Sequence, residues 1–129
     1  MTDGLIEDSV WIAAPPGIVF TALTEGPMLA SWWPKSAESE PRAGGRLSMT
    51  WFSGDKLETR FEAFKPGEEV SFPFYAEHVS FALSPERGGT RLRICHRCGA
   101  EAIHVAQSWG FLKANLKAFL EMGLDLRER

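Results

Sequence analysis

The sequence predicts an α+β fold. A curved antiparallel sheet of about six or seven strands covers, and is covered by, one long C-terminal helix, and two short helices follow the first strand. Three observations carry this. Residues 5–13 and 46–98 alternate apolar and polar residues in short runs separated by turn residues. Residues 103–122 repeat apolar residues at helical spacing. Between residues 15 and 34 four prolines chop the chain into short pieces.

The first strand is LIEDSVWIA, residues 5–13. Ile6, Asp8, Val10 and Ile12 share one face, and Glu7, Ser9 and Trp11 the other. Asp8 on the apolar face implies a frayed start or a wet end. Pro15-Pro16 stops the strand and suits a helix start, where a missing N–H costs nothing. Ile18, Val19, Ala22 and Leu23 then give a short helix over about 16–24. A second is expected over about 27–32, with Met28, Leu29 and Trp32 inward, and ends before Pro34.

Strands follow from residue 37. Glu38–Pro41 reads as a short edge strand, which tolerates proline. Gly44-Gly45 turns the chain into 46–52, where Leu47, Met49 and Trp51 align. Residues 57–65 align Leu57, Thr59, Phe61 and Ala63, with Glu58, Arg60 and Glu62 opposite. Residues 69–75 align Val70, Phe72 and Phe74; residues 78–84 align Val79, Phe81 and Leu83. Glu86-Arg87-Gly88-Gly89 is a hairpin turn. Residues 90–98 align Leu92, Ile94, His96 and Cys98, with Arg91, Arg93, Cys95 and Arg97 opposite. Short loops make neighbours antiparallel. In the last helix Val105, Trp109, Leu112, Leu116, Phe119 and Leu120 form the stripe, Lys113 and Lys117 lie off it, and Gly123 caps the end.

Residues 1–129 read as one domain, long enough for a core without staples. Charge is nearly balanced, 14 basic against 17 acidic residues, and no basic run exists, so a nucleic-acid partner is not expected. No apolar run would span a bilayer. The acidic start MTDGLIEDSVW lacks the marks of a signal peptide, so the cytoplasm and reduced thiols are expected. No motif points to a cofactor or a metal, and none is expected.

VWIAAPPGIVFTALTEGPMLASWWP (10–34), PRAGGRLSMTW (41–51), RFEAFKPGEEVSFPFY (60–75), VSFALSPERGGTRLRICH (79–96) and QSWGFLKANLKAFLE (107–121) carry a resemblance. In order and motif the chain resembles the START-like, or SRPBCC, superfamily with the Bet v 1-like helix-grip fold. Within it the chain looks like the homologues of the heat-shock-protein-90 ATPase activator C-terminal domain. The resemblance implies a cavity between sheet and C-terminal helix, used by related proteins for lipids, hormones or polyketides. It brings no general catalytic signature, and nothing in the sequence suggests a segment for docking a large chaperone.

Several short motifs invite chemistry. Cys95 and Cys98 form a C-x-x-C, but on a strand they point to opposite faces, and no second pair completes a zinc site. RAGG, residues 42–45, precedes a strand rather than a helix and reads as a tight turn, not a phosphate cradle. His96 and His104 could act as an acid–base pair, but no carboxylate stands at suitable spacing apart from Glu101 on the intervening loop.

The leading expectation is therefore a protein that binds a small hydrophobic or aromatic molecule. Trp32, Trp51, Phe61, Phe72, Phe81, Trp109 and Leu112 would supply apolar contact, and His96 or Ser108 a polar anchor. The alternatives are a cavity enzyme of the cyclase or hydrolase kind using His96 and His104, and a homodimeric or chaperone-linked interaction module. The last would present Trp11, Trp33 and Phe64 outward. Adjacent Trp32 and Trp33 cannot both face one wall in regular structure. Trp32 is expected inside and Trp33 near the cavity mouth or surface.

Overall fold

The computed structural model describes residues 4–99 and 102–127; the first three residues of the acidic N-terminus lie outside them. Strand β1 (Gly4–Ile12) leads to helices α1 (Pro16–Thr24) and α2 (Gly26–Leu29). Strands β2 (Ser36–Ser39), β3 (Arg46–Thr50), β4 (Lys56–Arg60), β5 (Phe64–Lys65), β6 (Glu69–Phe74), β7 (Glu77–Glu86) and β8 (Gly89–Cys98) follow. Helix α3 (Ala102–Met122) closes the order. The strands form two antiparallel sheets, β1-β8-β7-β6-β5 and β2-β3-β4. This is the expected α+β arrangement. Among the described residues no helix is long and apolar enough to cross a membrane.

The strand expected over 57–65 is split between the two sheets. Phe61 still pairs with the small sheet, donating its N–H to Gly45 O and accepting from Gly44 N–H. One residue later the chain has changed partner: Glu62 N–H donates to Ser71 O, and Ser71 N–H to Ala63 O. The reason lies in Phe61 and Phe64. Three residues apart, they cannot share a face of a regular strand. The bend turns both toward the core, where their rings meet edge-on at 5.3 Å. The same bend curls the strands into a grip.

Two boundaries also move. β2 runs Ser36–Ser39 rather than 38–41, and Pro41 falls beyond it, because the chain already turns at Glu40–Gly45. A Cβ on Gly45 would collide with the Glu40 carbonyl, which is why the turn carries glycine there. Helix α2 is a single turn, and the chain continues through Ser31, Trp32 and Trp33 in turns bonded to Met28 and Leu29.

Register places Ile94 opposite Phe81 and Phe81 opposite Val70; Val79 sits between His96 and Phe72. These side chains, with Leu92, Leu83 and Ile12, face inward and meet Trp109 and Leu116 of α3. Lys113 and Lys117 are not idle. Lys113 Nζ donates to Asp8 Oδ1 at 2.6 Å, and Lys117 Nζ to Trp11 O at 2.6 Å, fastening α3 along β1. Asp8 thus sits on the apolar face because a lysine reaches it there. Helix α3 ends where Gly123, at φ +69°, donates its N–H to Phe119 O, the left-handed cap its sequence foreshadows.

Candidate functional site

The interior between sheet and helix is packed, and a concavity of about 440 Å³ opens at one end of it. Its walls come from three places. The N-terminal half of α3 supplies His104, Val105, Ser108, Trp109 and Leu112. The turn between β3 and β4 supplies Trp51 and Asp55. The β6–β7 hairpin and β8 supply Phe74, Tyr75, Glu77 and His96, and Trp33 completes the lining.

The rim is tied across by Trp51 Nε1–H, which donates to Tyr75 Oη at 2.6 Å. Tyr75 occupies the first position of the two-residue loop between Phe74 and Glu77, at φ +56°. Glycine is the usual choice there; a bulky residue costs roughly 1–2 kcal/mol. The strained position aims the phenol at Trp51 and the ring at Phe74, 5.3 Å away.

Deeper in, three side chains form a chain with one consistent direction. An indole N–H can only donate. Trp109 Nε1–H points at His96 Nδ1 at 2.9 Å, so Nδ1 is the acceptor and the ring carries its proton on Nε2. Nε2–H then donates to Glu77 Oε1 at 2.7 Å. An imidazolium would set two donors against each other at Nδ1. His96 is buried, and both its nitrogens are committed, so it orients Trp109 and Glu77 and has no lone pair free for taking a proton from a ligand.

Glu77 corrects the expectation that His96 lacks a carboxylate. The strand starts at Glu77 rather than residue 78, and one further step of the Val79–Phe81–Leu83 alternation puts Glu77 on the inward face. Reading residue 77 as turn concealed it. Glu101, the carboxylate considered instead, lies outside the described residues. His104 does line the same pocket as His96.

Trp33 lines the pocket, the first of the two places expected for it, but is more buried than a mouth residue would be. It is only 8% exposed, stacked on Trp32 with centroids 5.4 Å apart and on Phe74 at 5.8 Å. Both indoles face inward because residues 30–34 are irregular and held by foreign groups. Asn115, fully buried on α3, donates to Trp32 O at 3.0 Å. Arg127 donates to the carbonyls of Ala30, Trp33 and Pro34 at 2.7–2.8 Å while Asp125 grips the same guanidinium. Leu126 N–H returns to Asn115 Oδ1. The C-terminal tail is thus a clamp on the segment that carries Trp33. A buried asparagine in the middle of an apolar helix face was the sequence signal for it.

The expected binding residues divide. Trp51, His96, Ser108, Trp109 and Leu112 line the pocket. Trp32, Phe61, Phe72 and Phe81 do not; they are buried beneath it, essentially without exposure. Tyr75, Glu77 and Asp55 line it without having been expected to; Phe74, expected to face inward, and Trp33, expected near the mouth or surface, line it as well. The outward patch of Trp11, Trp33 and Phe64 does not form. Trp11 donates its N–H to Glu86 O beneath Lys117, and Phe64 packs on Phe20 and Phe61. Cys95 and Cys98 are free thiols on opposite faces of β8, one half-buried and one buried. Burial pushes the Cys98 thiol pKa up, and the Glu77 charge adds to that, the reverse of an activated nucleophile. Residues 42–45 are the tight turn.

Comparison with known proteins bears on the fold and the family. None of the curated proteins matches the sequence. SSP2350 from Staphylococcus saprophyticus superposes with a TM-score of 0.88 over 98% of both chains at 16% identity. The Aha1 dimer from Colwellia psychrerythraea gives 0.81 at 22% identity, covering 95% of this chain and 98% of that one. DynU16, from the dynemicin biosynthetic locus, gives 0.77 at 20% identity over 92% of this chain and 48% of its own. These likenesses show a shared helix-grip fold. The family model described as Activator of Hsp90 ATPase homolog 1-like protein matches residues 13–122. That match spans most of the chain, which therefore belongs to the Activator of Hsp90 ATPase homolog 1-like family, within the SRPBCC superfamily.

Proposed function

We propose that the protein binds a small molecule with an apolar or aromatic body in the pocket between α3 and the sheet. The observation that carries this is the lining. Trp33, Trp51, Phe74 and Trp109 bring ring surface to one open concavity, with Ser108, His104 and Glu77 as polar points along its wall. Apolar walls with a few placed polar groups are the usual make-up of a ligand site. The acid–base reading is less favoured, because His96 spends both nitrogens on Trp109 and Glu77. The DynU16 neighbour lends the binding reading modest support, as a protein of a biosynthetic locus on the same fold.

The test is a thermal-shift and fluorescence screen of neutral and charged aromatic compounds, with native mass spectrometry of protein taken from its source organism. A cognate ligand raises the melting temperature and changes indole emission, since three tryptophans line the pocket. Trp51→Ala should weaken binding at least severalfold while leaving the fold intact. A screen without any shift, and no co-purifying molecule, would remove the proposal. Self-association is a second reading, prompted by the Colwellia dimer. Sedimentation velocity across a concentration series decides it.

A further inference from the structure

Two carboxylates, Asp55 and Glu77, lie on the pocket wall with His96 and His104, and no Arg or Lys does among the described residues. Nor does either carboxylate have an Arg or Lys ion-pair partner among the described residues. Glu77 takes one hydrogen bond from His96. Because Trp109 obliges that ring to accept at Nδ1, the ring is neutral, and the bond leaves the Glu77 charge uncancelled. The Glu77 side chain is 30% exposed, so its carboxylate is reachable. The cationic side chains of β8 stand elsewhere: Arg91, Arg93 and Arg97 alternate with His96 and point to the other face of the sheet.

Aromatic faces carry the same preference as the carboxylates. Their negative quadrupole attracts a cation within about 6 Å of a ring centroid. Trp33, Trp51 and Phe74 are mutually within 5.8–5.9 Å, centroid to centroid, so one headgroup can meet more than one ring. A carboxylate or phosphate ligand would meet two negative groups and no Arg or Lys among the described lining residues, and would have to shed water to do so. Building on the proposal that this pocket binds a small molecule, we infer that the ligand is an organic cation. It has an aromatic or apolar body and an ammonium or quaternary ammonium group placed near Glu77 and Asp55.

Matched probes test this by calorimetry: naphthylethyl-trimethylammonium, the naphthyl alcohol of the same length, and the naphthyl carboxylate. The ammonium compound should bind about tenfold or more tightly than the alcohol, with the carboxylate weakest. The double variant Glu77→Gln, Asp55→Asn should bring ammonium and alcohol to within about threefold. Asp55→Asn alone, on an exposed turn, preserves the comparison if Glu77→Gln weakens the fold. An alcohol or carboxylate that matches the ammonium, or an ammonium preference that survives loss of both carboxylates, overturns the cation assignment and leaves pocket binding standing. Failure of all three probes to bind counts against the pocket itself and takes the assignment with it.

Discussion

Two groups of aromatic side chains lie a few ångströms apart and do different work. Trp32, Phe61, Phe72 and Phe81 are buried in the apolar core, where the Trp32 indole N–H donates to Ala22 O. Trp51, Tyr75 and Trp109 are held by hydrogen bonds to other side chains at or beneath a pocket wall. Periodicity in the sequence treats both groups alike, since it reports only that a side chain points inward. What separates them is place in the grip: the first group meets the packed layer, and the second meets the opening.

The largest expected effect breaks the core member of this comparison. Trp32→Ala should cost about 3–5 kcal/mol in denaturant unfolding, since a fully buried indole leaves a void that its rigid neighbours cannot fill. Trp51→Ala at the rim should cost well under half of that, on the order of 1 kcal/mol, because its loss is mainly one hydrogen bond and partial burial. Equal losses at the two sites would show that the rim is as tightly packed as the core and would erase the distinction.

A middle-sized effect probes how Trp33 crosses from one group to the other. Arg127 binds three carbonyls of the segment that presents it, and with Asp125 forms a nearly buried pair. Arg127→Ala should destabilise by about 2–3 kcal/mol, as three carbonyls of that segment lose their donor and Asp125 loses the guanidinium it holds. The distinguishing readout is local. Hydrogen exchange should quicken over residues 30–34 before it does in the sheet. Uniform quickening would mean that the tail supports the whole fold rather than this segment.

Most of the architecture was legible because it rests on local rules. The hairpin turn at Arg87-Gly88, the helix start at Pro16 and the cap at Gly123 each follow from one residue's backbone preference. The split at Phe61–Phe64 was not, because it depends on which of two sheets a residue pairs with. In the pocket, His96 and Trp109 were legible from periodicity, and Glu77 was not. Glu77 looked like a turn residue, and Tyr75 sits at a backbone angle that its side chain does not favour. Asp125 and Arg127 act through a fold-back that no periodicity announces. Four of the residues chosen for bulk, Trp32, Phe61, Phe72 and Phe81, were thus found one layer too deep, while Asp55, Tyr75 and Glu77 reach the pocket from turns and a strand start.

The smallest effect belongs to the seam where α3 meets β1, which is neither core nor pocket and sharpens the contrast by its weakness. Glu121 accepts from Lys117 Nζ at 2.8 Å and from Ala13 N–H at 2.8 Å. The Lys117 bond, with the Ala13 N–H second, holds its carboxyl below the ordinary value of 4.5. A group whose folded pKa is depressed adds stability above its unfolded pKa and loses that stability as pH falls through the folded one. Glu121→Gln should therefore lower stability at neutral pH by no more than about 1 kcal/mol. The gap from the parent protein should close as pH drops below the ordinary carboxylate range. Denaturant midpoints measured in parallel across an acid series check it. A gap that stays constant into strong acid would mean that the carboxylate's charge contributes nothing and that the side chain acts only by its contacts.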